Sequence, residues 1–360
     1  MRLTLNASDL LPALTAAERY APRRSTVPIQ GNVLLTAYAP DGLTLATTGM
    51  DQCYRRTVAA NVDAPGAVTV NAKVLLATLK GLTGTVTLET LPGDKIRVAC
   101  GLSVATLASI PAEDFPRLAQ GDLPHAVTLP AADLVALFAR VAYAISTEET
   151  RYYLCGIHWT GARMVTVDGH QLALAETGLP AAPGVIWPRL SVAALTRTLG
   201  AKPKGNVTVA WSDTRLWVTL ADGATVGTKL VDGTFPEYER VIPRDNASRL
   251  TVDSTALAEA VRRVASVSTE RSKPVRFTLG ADGLTLNTRD PENGERSGPL
   301  PAGSTYAGTP LKIGFRARSV QDTCKAAGQG LLTFEIGDKG GPVVIRGARD
   351  GLHVLMPMRI

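Results

Sequence analysis

The sequence is poor in the residues and motifs on which catalytic and metal sites depend. Four cysteines and four histidines are scattered through 360 residues, and no C-x-x-C pair occurs. There is no G-x-x-x-x-G-K-[ST] loop, no G-x-G-x-x-G, no H-E-x-x-H and no G-x-S-x-G elbow. A zinc site would need more closely spaced ligands and more histidines. We therefore expect no metal, no cofactor and no catalytic activity.

The sequence also lacks long apolar runs and a strong charge. No run approaches the roughly 20 apolar residues that span a membrane, and no apolar stretch precedes Asp9. Widely spaced cysteines without a pairing pattern are typical of buried thiols in a reducing compartment. A cytoplasmic protein without membrane contact is expected. The net charge of +6 is too mild to establish nucleic-acid binding by itself.

What the sequence does contain is one segment three times over. Residues 2–17 (RLTLNASDLLPALTAA) resemble residues 126–141 (AVTLPAADLVALFARV) and residues 249–264 (RLTVDSTALAEAVRRV). The offsets are 124 and 123 residues, so three copies tile the chain. We predict three domains with the same fold, at residues 1–120, 121–245 and 246–360.

Each copy begins with an alternating pattern and continues with a helical one. Leu3 and Leu5 alternate with polar residues, which predicts a strand. Leu10, Leu14 and Ala17 follow at the i, i+4, i+7 spacing of a helix face. The equivalent positions are Leu134, Phe138 and Val141 in the second copy, and Leu257, Val261 and Val264 in the third. Ser8, and Ser254 or Thr255, are predicted N-caps.

A second strand and helix recur about 60 residues into each third, at 67–82, 185–200 and 311–327. The remaining segments predict short strands and turns, as in the Asp-Gly hairpins that open at residues 41 and 282. The fold class predicted is therefore α+β.

Basic residues recur on the predicted helices. The second helices carry the pairs Lys73 and Lys80, Arg189 and Arg197, and Arg318 and Lys325, and the first helices carry Arg140, Arg262 and Arg263. Residues seven apart share a helix face. Any single pair is expected on a solvated face, but three copies favour one basic surface that meets phosphates without reading sequence.

One string leaves an enzyme open as an alternative. Asp168 and His170 are two residues apart, with Tyr152 and Tyr153 upstream, and such a pair could support acid–base chemistry. The same residues could equally form a turn between strands.

Several strings together resemble one family, the beta subunit of bacterial DNA polymerase III, which is the DNA sliding clamp. They are RSTVPIQGNVLL (24–35), SIPAEDFPRL (109–118), RYYLCGIHW (151–159), VTVDGHQLALAE (165–176), FPEYERVIP (235–243) and MPMRI (356–360). The resemblance runs along the whole chain. It implies a head-to-tail ring dimer of six like-folded domains, in which two helices of each domain line the hole and antiparallel sheets form the outside. Duplex DNA would pass through the ring without sequence-specific contact.

The resemblance also implies a groove between the second and third domains. It would capture short peptides from the DNA polymerase III alpha subunit, the clamp loader and other proteins with a clamp-binding motif. Apolar side chains would hold the peptide's Leu and Phe anchors, and polar ones would line the rim. The implied residues are Leu154, Val167, Gly169, His170, Gln171, Leu172, Pro236, Arg240, Val241, Val343, Val354, Met356, Pro357 and Met358.

The resemblance further implies DNA-contacting and interface residues. DNA contacts fall on Arg24, Tyr152 and Tyr153, to which we add Lys73, Lys80, Arg189 and Arg197 from the helices. The ring interface would join Ala105 and Leu107 of one copy to Ser266 and Val267 of the other.

Some positions depart from the family pattern. Gln171 stands where Arg is common and Val167 where Thr is often found, which could change peptide preference. Glu148 and Glu149 would repel phosphate beside the two tyrosines. Ala105 and Ser266 each bury less apolar surface than a large side chain would, which lowers the stabilisation of the interface by about 1–2 kcal/mol at each position. This predicts either a weaker interface or one supported by charges such as Arg262 and Arg263. These departures, and a short segment before MPMRI, leave open a paralogue on a mobile element or one that confers resistance to a clamp-directed inhibitor.

Overall fold

The computed structural model describes residues 1–22, 25–179, 182–270, 272–280 and 283–359. Within those residues the six α-helices are α1 (Ala7–Glu18), α2 (Ala72–Leu79), α3 (Ala131–Val141), α4 (Arg189–Leu199), α5 (Ser254–Val264) and α6 (Ala317–Ala327). Their spacing reproduces the two helices predicted for each third of the chain.

The strands between the helices are short. In chain order they are β1 (Arg2–Asn6), β2 (Asn32–Tyr38), β3 (Gly42–Thr48), β4 (Gln52–Val58), β5 (Asn61–Ala64), β6 (Gly66–Asn71), β7 (Thr85–Leu91), β8 (Lys95–Cys100), β9 (Ser103–Ile110), β10 (His125–Pro130), β11 (Gly156–Gly161), β12 (Arg163–Val167), β13 (Gln171–Glu176), β14 (Ala182–Pro188), β15 (Asn206–Trp211), β16 (Arg215–Thr219), β17 (Thr225–Lys229), β18 (Ser248–Asp253), β19 (Pro274–Gly280), β20 (Gly283–Asp290), β21 (Gly294–Pro299), β22 (Thr305–Ala307), β23 (Leu311–Arg316), β24 (Leu331–Ile336), β25 (Val343–Arg346) and β26 (Gly351–Leu355).

These strands form antiparallel sheets, so the α+β prediction is confirmed. One sheet has the order β10-β15-β16-β17-β4-β3-β2-β6-β9-β8-β7-β1-β5, a second β14-β11-β12-β13-β26-β25-β24-β18-β22, and a third β21-β20-β19-β23. Strands of consecutive thirds are neighbours in the first two sheets. β4 pairs with β17, and β13 pairs with β26.

The chain divides into two compact units. One comprises Met1–Val135 and Leu190–Leu230, and the other comprises Ala136–Arg189 and Val231–Ile360. Each unit thus combines one terminal third with part of the central third. The pairings β4–β17 and β13–β26 account for this division, because main-chain hydrogen bonds join each terminal third to central segments of its own unit.

The helical faces predicted from the sequence are buried. Leu10, Leu14 and Ala17 are fully inaccessible to solvent in α1, and the equivalent residues of α3 and α5 are also buried. In the C-terminal third, α5 and α6 pack against β19, β20, β23 and β24, with Phe277, Phe315 and Phe334 in the core between them.

The predicted N-caps are wrong. Asn6 precedes α1, and Asp253 precedes α5 and accepts a hydrogen bond from the Ala256 N–H at 2.9 Å. Ser254 is already the first helical residue, and its hydroxyl donates to the Gly328 carbonyl at 2.7 Å. At α5 a carboxylate accepts such a hydrogen bond more strongly than a hydroxyl does, so the cap falls one residue earlier than the serine pattern suggested. At α1 the Asn6 side chain makes no capping hydrogen bond.

Candidate functional site

An apolar face spans four neighbouring strands of the second unit. Val167 of β12 lies opposite Leu172 of β13, Leu172 lies opposite Val354 of β26, and Val354 lies opposite Val344 of β25. Residues opposite one another in antiparallel strands point to the same face, so these four side chains form one row. We call this the valine–leucine row.

A second row lies two residues along the same strands and therefore on the same face. Val165 is opposite Leu174, which is opposite Leu352. Both rows belong to one apolar cluster that also contains Leu154, Ile186 and Phe235 as buried members and Tyr153, Val231, Tyr238 and Ile242 at its margin. Leu154, Val167, Leu172 and Val354, which the resemblance predicts in one groove, come together in this cluster.

Val343 was placed wrongly. It lies opposite Leu355, is fully buried, and packs in the core of the C-terminal third. Successive side chains of a strand point to opposite faces, so the neighbouring Val344 lies in the valine–leucine row instead. The resemblance assigns the site to Val343, one residue out of register, and a shift of one residue moves the side chain to the opposite face of the sheet.

The turn between β12 and β13 is held by Asp168. One of its carboxylate oxygens accepts the N–H groups of His170 and Gln171, both at 2.8 Å, and the other accepts the Gln171 side-chain amide at 2.9 Å. The Asp168 N–H donates to the Gln171 carbonyl at 3.2 Å. Gly169 has a φ of +90°, which favours glycine. Asp168 therefore builds the turn, while His170 is exposed and Gln171 half-buried.

The terminal strand segment is fixed beside this turn. The Met356 N–H donates to the His170 carbonyl at 2.8 Å, and the Met358 N–H donates to the Gly314 carbonyl at 2.9 Å. Met356 remains 42% exposed, and Pro357 and Met358 are half-buried. A flexible thioether side chain is therefore presented at the edge of the cluster, where it can adapt to an apolar ligand.

The segment after Phe235 forms another edge. Phe235 is buried and stacks on His158, with ring centroids 4.5 Å apart. Burial lowers the pKa of His158 to about 4, so this ring is neutral and packs as an aromatic surface. A cleft of about 780 Å³ opens here. Its lining includes Pro236 and Arg240, while Val241 is 52% exposed beside them in sequence.

Arg240 is paired locally, because its guanidinium forms an ion pair with Glu237 three residues earlier in the chain. Both groups are strongly exposed, so this pair contributes little to stability and leaves the guanidinium able to exchange partners.

The segment with the two tyrosines lies next to the cluster. Tyr152 is 54% exposed, and Tyr153 is half-buried and contacts it edge to face at 5.7 Å. The expected repulsion from Glu148 is reduced, because the Arg151 guanidinium forms an ion pair with this carboxylate at 3.2 Å. Glu149 is exposed.

The predicted basic surface is only partly available. Lys73, Lys80 and Arg197 are exposed and, among the residues the structure describes, form no ion pair, whereas Arg189 is half-buried. Lys80 lies just beyond α2 as its C-cap. Arg24 lies outside the described residues.

Two further basic residues of the predicted surface have partners inside the protein. The Arg140 guanidinium donates to the Glu176 carbonyl at 3.3 Å, and burial lowers its pKa. Arg318 forms an ion pair with Asp322 one helical turn later, at 3.4 Å. The prediction of free surface charge is therefore wrong for Arg140, whose partner is distant in the chain. Arg318 is 88% exposed and its partner lies one helical turn away, so this weak ion pair leaves its charge at the surface.

Two of the predicted interface residues lie on a strand with an unpaired edge, β9. Only Ser109 and Ile110 of β9 pair with β6, so within the described residues the stretch from Ser103 to Ala108 has one unpaired edge. Ala105 and Leu107 are half-buried on it. Unpaired strand edges are sites at which another chain can add.

On the other side, Ser266 and Val267 form a short 3-10 turn after α5. The Ser266 hydroxyl donates to the Arg263 carbonyl at 2.8 Å and accepts from the Arg296 guanidinium at 3.0 Å. Arg296 belongs to β21, the edge strand of its sheet. Val267 is half-buried.

Other site types find little support in the part of the chain that the structure describes. No group of three His, Cys, Asp or Glu side chains there is arranged to hold a metal ion. Nor do those residues include a helix of sufficient length and hydropathy for a membrane span. Cys53, Cys100, Cys155 and Cys324 are free thiols.

Comparison with known proteins decides the family. Models of the N-terminal, central and C-terminal domains of the DNA polymerase III beta subunit match residues 1–119, 128–237 and 239–359. The chain belongs to the DNA polymerase III beta subunit family. It functions as a DNA sliding clamp, the processivity factor of replication. The exact boundaries predicted at residues 120/121 and 245/246 stay a prediction.

Relatives and solved structures cover the clamp from end to end. It is 35% identical to the beta sliding clamp of Caulobacter vibrioides and 30% identical to that of Pseudomonas aeruginosa, with 100% of each chain covered. The Caulobacter crescentus clamp crystallised with polyethylene glycol has a TM-score of 0.93 at 34% identity, covering 100% of this chain and 99% of that one. The Bartonella birtlesii clamp bound to griselimycin has a TM-score of 0.94 at 33% identity, with both chains fully covered.

Proposed function

We propose that two copies of this clamp close head to tail into a cytoplasmic ring around duplex DNA, with helices lining the hole and sheets outside. The ring tethers the DNA polymerase III alpha subunit, the clamp loader and other proteins with a clamp-binding motif. It does so without catalysis and without a cofactor. The observation that carries the proposal is the valine–leucine row, a preformed apolar face flanked by exposed Met356 and by the polar turn at Asp168.

Peptide capture follows from the chemistry of this face. Two apolar anchors of an extended peptide would rest on Leu172, Val354 and Val167, with Leu154 beneath them. Pro236, Val241, Met356, Pro357 and Met358 would close over the anchors from the edges. Gly169, His170, Gln171 and Arg240 would supply main-chain and side-chain hydrogen bonds at the rim. Leu154, Leu172 and Val354 are already buried, so they form the floor of the site. Binding is driven by desolvation of the peptide anchors and of the side chains at the edges that are exposed or half-buried, which are Val167, Val241, Met356, Pro357 and Met358.

Retention on DNA would rest on topology together with weak phosphate contacts. Lys73, Lys80 and Arg197 support the proposal because they are exposed and lack ion pairs among the described residues. Arg24, Tyr152, Tyr153 and Arg189 complete the proposed DNA-contacting set. Contacts to phosphate position the protein without reading sequence, which is what sliding requires.

Ring closure would use the exposed edge of β9. Ala105 and Leu107 would meet Ser266 and Val267 of a second copy, in a heterologous contact that closes after two subunits. The small Ala105 and the polar Ser266 support an interface weaker than one with large apolar residues at both positions.

The test compares Val241→Glu with a matched control, Val27→Glu. The two valines are similarly exposed, at 52% and 46%, but Val27 lies outside the proposed groove. Fluorescence anisotropy of a labelled peptide with Leu and Phe anchors should show at least tenfold weaker binding to the first variant and none of this loss in the second. Equal binding by both would refute the groove.

A second test removes the terminal segment. Deleting residues 356–360 should abolish peptide binding while the protein still forms a ring of two chains. Undiminished binding would refute the role assigned to Met356, Pro357 and Met358.

No observation specifically favours the mobile-element or inhibitor-resistance paralogue. The enzyme alternative is opposed by the turn geometry, because both carboxylate oxygens of Asp168 already accept hydrogen bonds from the turn.

A further inference from the structure

The first unit contains a second groove. A cavity of about 570 Å³ lies on β2, β3 and β4 and extends to β16 and β17, and the segment 115–120 borders it. Its lining includes Leu34, Ala46, Phe115, Leu118 and Trp217. Leu34 and Phe115 are buried and form an apolar floor with Ile29. This volume is typical of pockets that accept small ligands or peptide side chains.

The second groove repeats the main-chain framework of the first. In the first, the Asp168 N–H donates to the Gln171 carbonyl and the Met356 N–H donates to the His170 carbonyl. In the second, the Gly49 N–H donates to the Gln52 carbonyl at 2.7 Å and the Lys229 N–H donates to the Asp51 carbonyl at 2.8 Å. In both, a strand of one third follows a tight turn and pairs with a strand near the end of the next third.

The bordering segments repeat as well. Phe115-Pro116 borders the second groove as Phe235-Pro236 borders the first, at an offset of 120 residues. Each phenylalanine is buried against the third residue of a strand, Leu34 of β2 in one case and His158 of β11 in the other. The two grooves are therefore built by equivalent parts of the triplicated chain.

The charges of the second groove differ from those of the first. Arg55 and Arg117 line it, are exposed, and form no ion pair among the described residues. Asp41 is the one carboxylate among the described lining residues. By contrast, Glu237 and Glu239 line the first groove beside Arg240 and Arg244. The second groove thus combines an apolar floor with unpaired positive charge.

We propose that this second groove binds a short acidic peptide segment of a partner protein. An apolar anchor of the peptide would sit on Leu34, Phe115 and Trp217, and adjacent carboxylates would pair with Arg55 and Arg117. Guanidinium groups pair well with carboxylates, and the two unpaired arginines select for acidic sequence over basic sequence. The proposal goes beyond the peptide site of the second unit and does not depend on it.

The test is photo-crosslinking of the full-length protein to a synthetic peptide, GLXDDG, in which X is p-benzoylphenylalanine. The control peptide is GLXKKG, which keeps the anchors and reverses the charges. Adducts are mapped by mass spectrometry on the wild type and on the variant Val241→Glu, which disables the first groove. Adducts on Leu34, Phe115, Trp217 or their neighbours are expected in both proteins with the acidic peptide and are absent with the basic one.

Charge reversal of the protein completes the test. The double variant Arg55→Glu, Arg117→Glu should lower the affinity for the acidic peptide about tenfold, from two exposed ion pairs turned into repulsions. The matched control is Lys202→Glu, Lys204→Glu, on exposed residues of the same unit that do not line the groove. The proposal would be overturned if adducts formed only in the groove of the second unit, or if none formed at all. It would also be overturned if the yield of adducts stayed the same when the charges of the peptide or of the protein were reversed.

Discussion

Replacing Asp168 by alanine should weaken peptide binding without unfolding the clamp. The turn from Asp168 to Gln171 presents His170 and Gln171 at the edge of the valine–leucine row, and three hydrogen bonds to the Asp168 carboxylate hold it. In Asp168→Ala the two main-chain N–H groups lose this acceptor. The turn then samples other conformations, and binding must select the competent one.

The size of the effect follows from these contacts. A net contribution of about 1 kcal/mol for each of the two main-chain hydrogen bonds gives a loss of about 2 kcal/mol in the stability of the turn. If that free energy appears fully in binding, the apparent Kd rises about 30-fold. The effect on global unfolding should be smaller, because the turn is partly exposed and its N–H groups can bind water.

Asp168→Asn is the matched control. An asparagine keeps an oxygen for the two N–H groups, and its amide nitrogen then faces the Gln171 side chain. The Gln171 side-chain oxygen is buried without a hydrogen-bond partner, so a flip of this amide restores the third contact. Anisotropy titration should therefore give Asn close to wild type and Ala about 30-fold weaker. Equal loss in both would refute the argument and favour a role for the ionised carboxylate itself.

Three further predictions concern other parts of the molecule. Leu107→Asp and Val267→Asp should each convert a ring of twice the 37.9 kDa chain mass into single chains, measured by light scattering at low micromolar concentration. Lys73→Glu with Lys80→Glu should shorten retention on circular DNA and reduce the slope of log K against log salt by about 2, if each lysine meets one phosphate. His353→Gln should remove an acid-induced loss of stability. Burial is the main cause, and the Arg140 charge a second one, that lowers the pKa of His353 to about 4. The unfolded state therefore binds more protons than the folded state between pH 6.5 and pH 4. The free energy of unfolding is thus highest above pH 6.5 and falls through this window by at most about 1.4 kcal/mol per pH unit.

The interface and salt-slope experiments each have a control in the same chain. Val104→Asp changes an exposed neighbour on β9 and tests whether any charge on this strand, or only one at Leu107, breaks the ring. Lys95→Glu at the start of β8 reverses a charge away from the helices and should leave the salt slope unchanged. The interface assignment would be contradicted if both interface variants still formed the ring. The DNA-contact assignment would be contradicted if the salt slope were unchanged after both lysine reversals. The role given to His353 would be contradicted if His353→Gln kept the pH dependence of the wild type.

The repeated pattern was the dependable part of the sequence. Leu10, Leu14 and Ala17, with their equivalents in the other copies, are buried because a helix packed on a sheet needs one continuous apolar face. This requirement is local and acts in each copy independently. Spacing alone was therefore sufficient to predict the fold class and the two helices in each third.

The details that failed depend on partners distant in the chain. Val343 and Val344 are indistinguishable by type, and only the register of β25 against β26 decides which of them joins the valine–leucine row. Arg140 carries a full charge in the sequence, but the Glu176 carbonyl, 36 residues away, engages it. No pattern within one segment contains this information.

The grooves also bear on how a closed ring could open. Each described groove lies where strands of consecutive thirds pair directly: β4 with β17, and β13 with β26. Bending such a junction would break several main-chain hydrogen bonds at once and expose the apolar floor. The proposed contact between copies brings the edge of β9, with Ala105 and Leu107, against Ser266 and Val267, and two of these four side chains are small or polar. Opening should therefore occur between copies, and a peptide bound in either groove should raise the stability of its own unit without closing the ring more tightly.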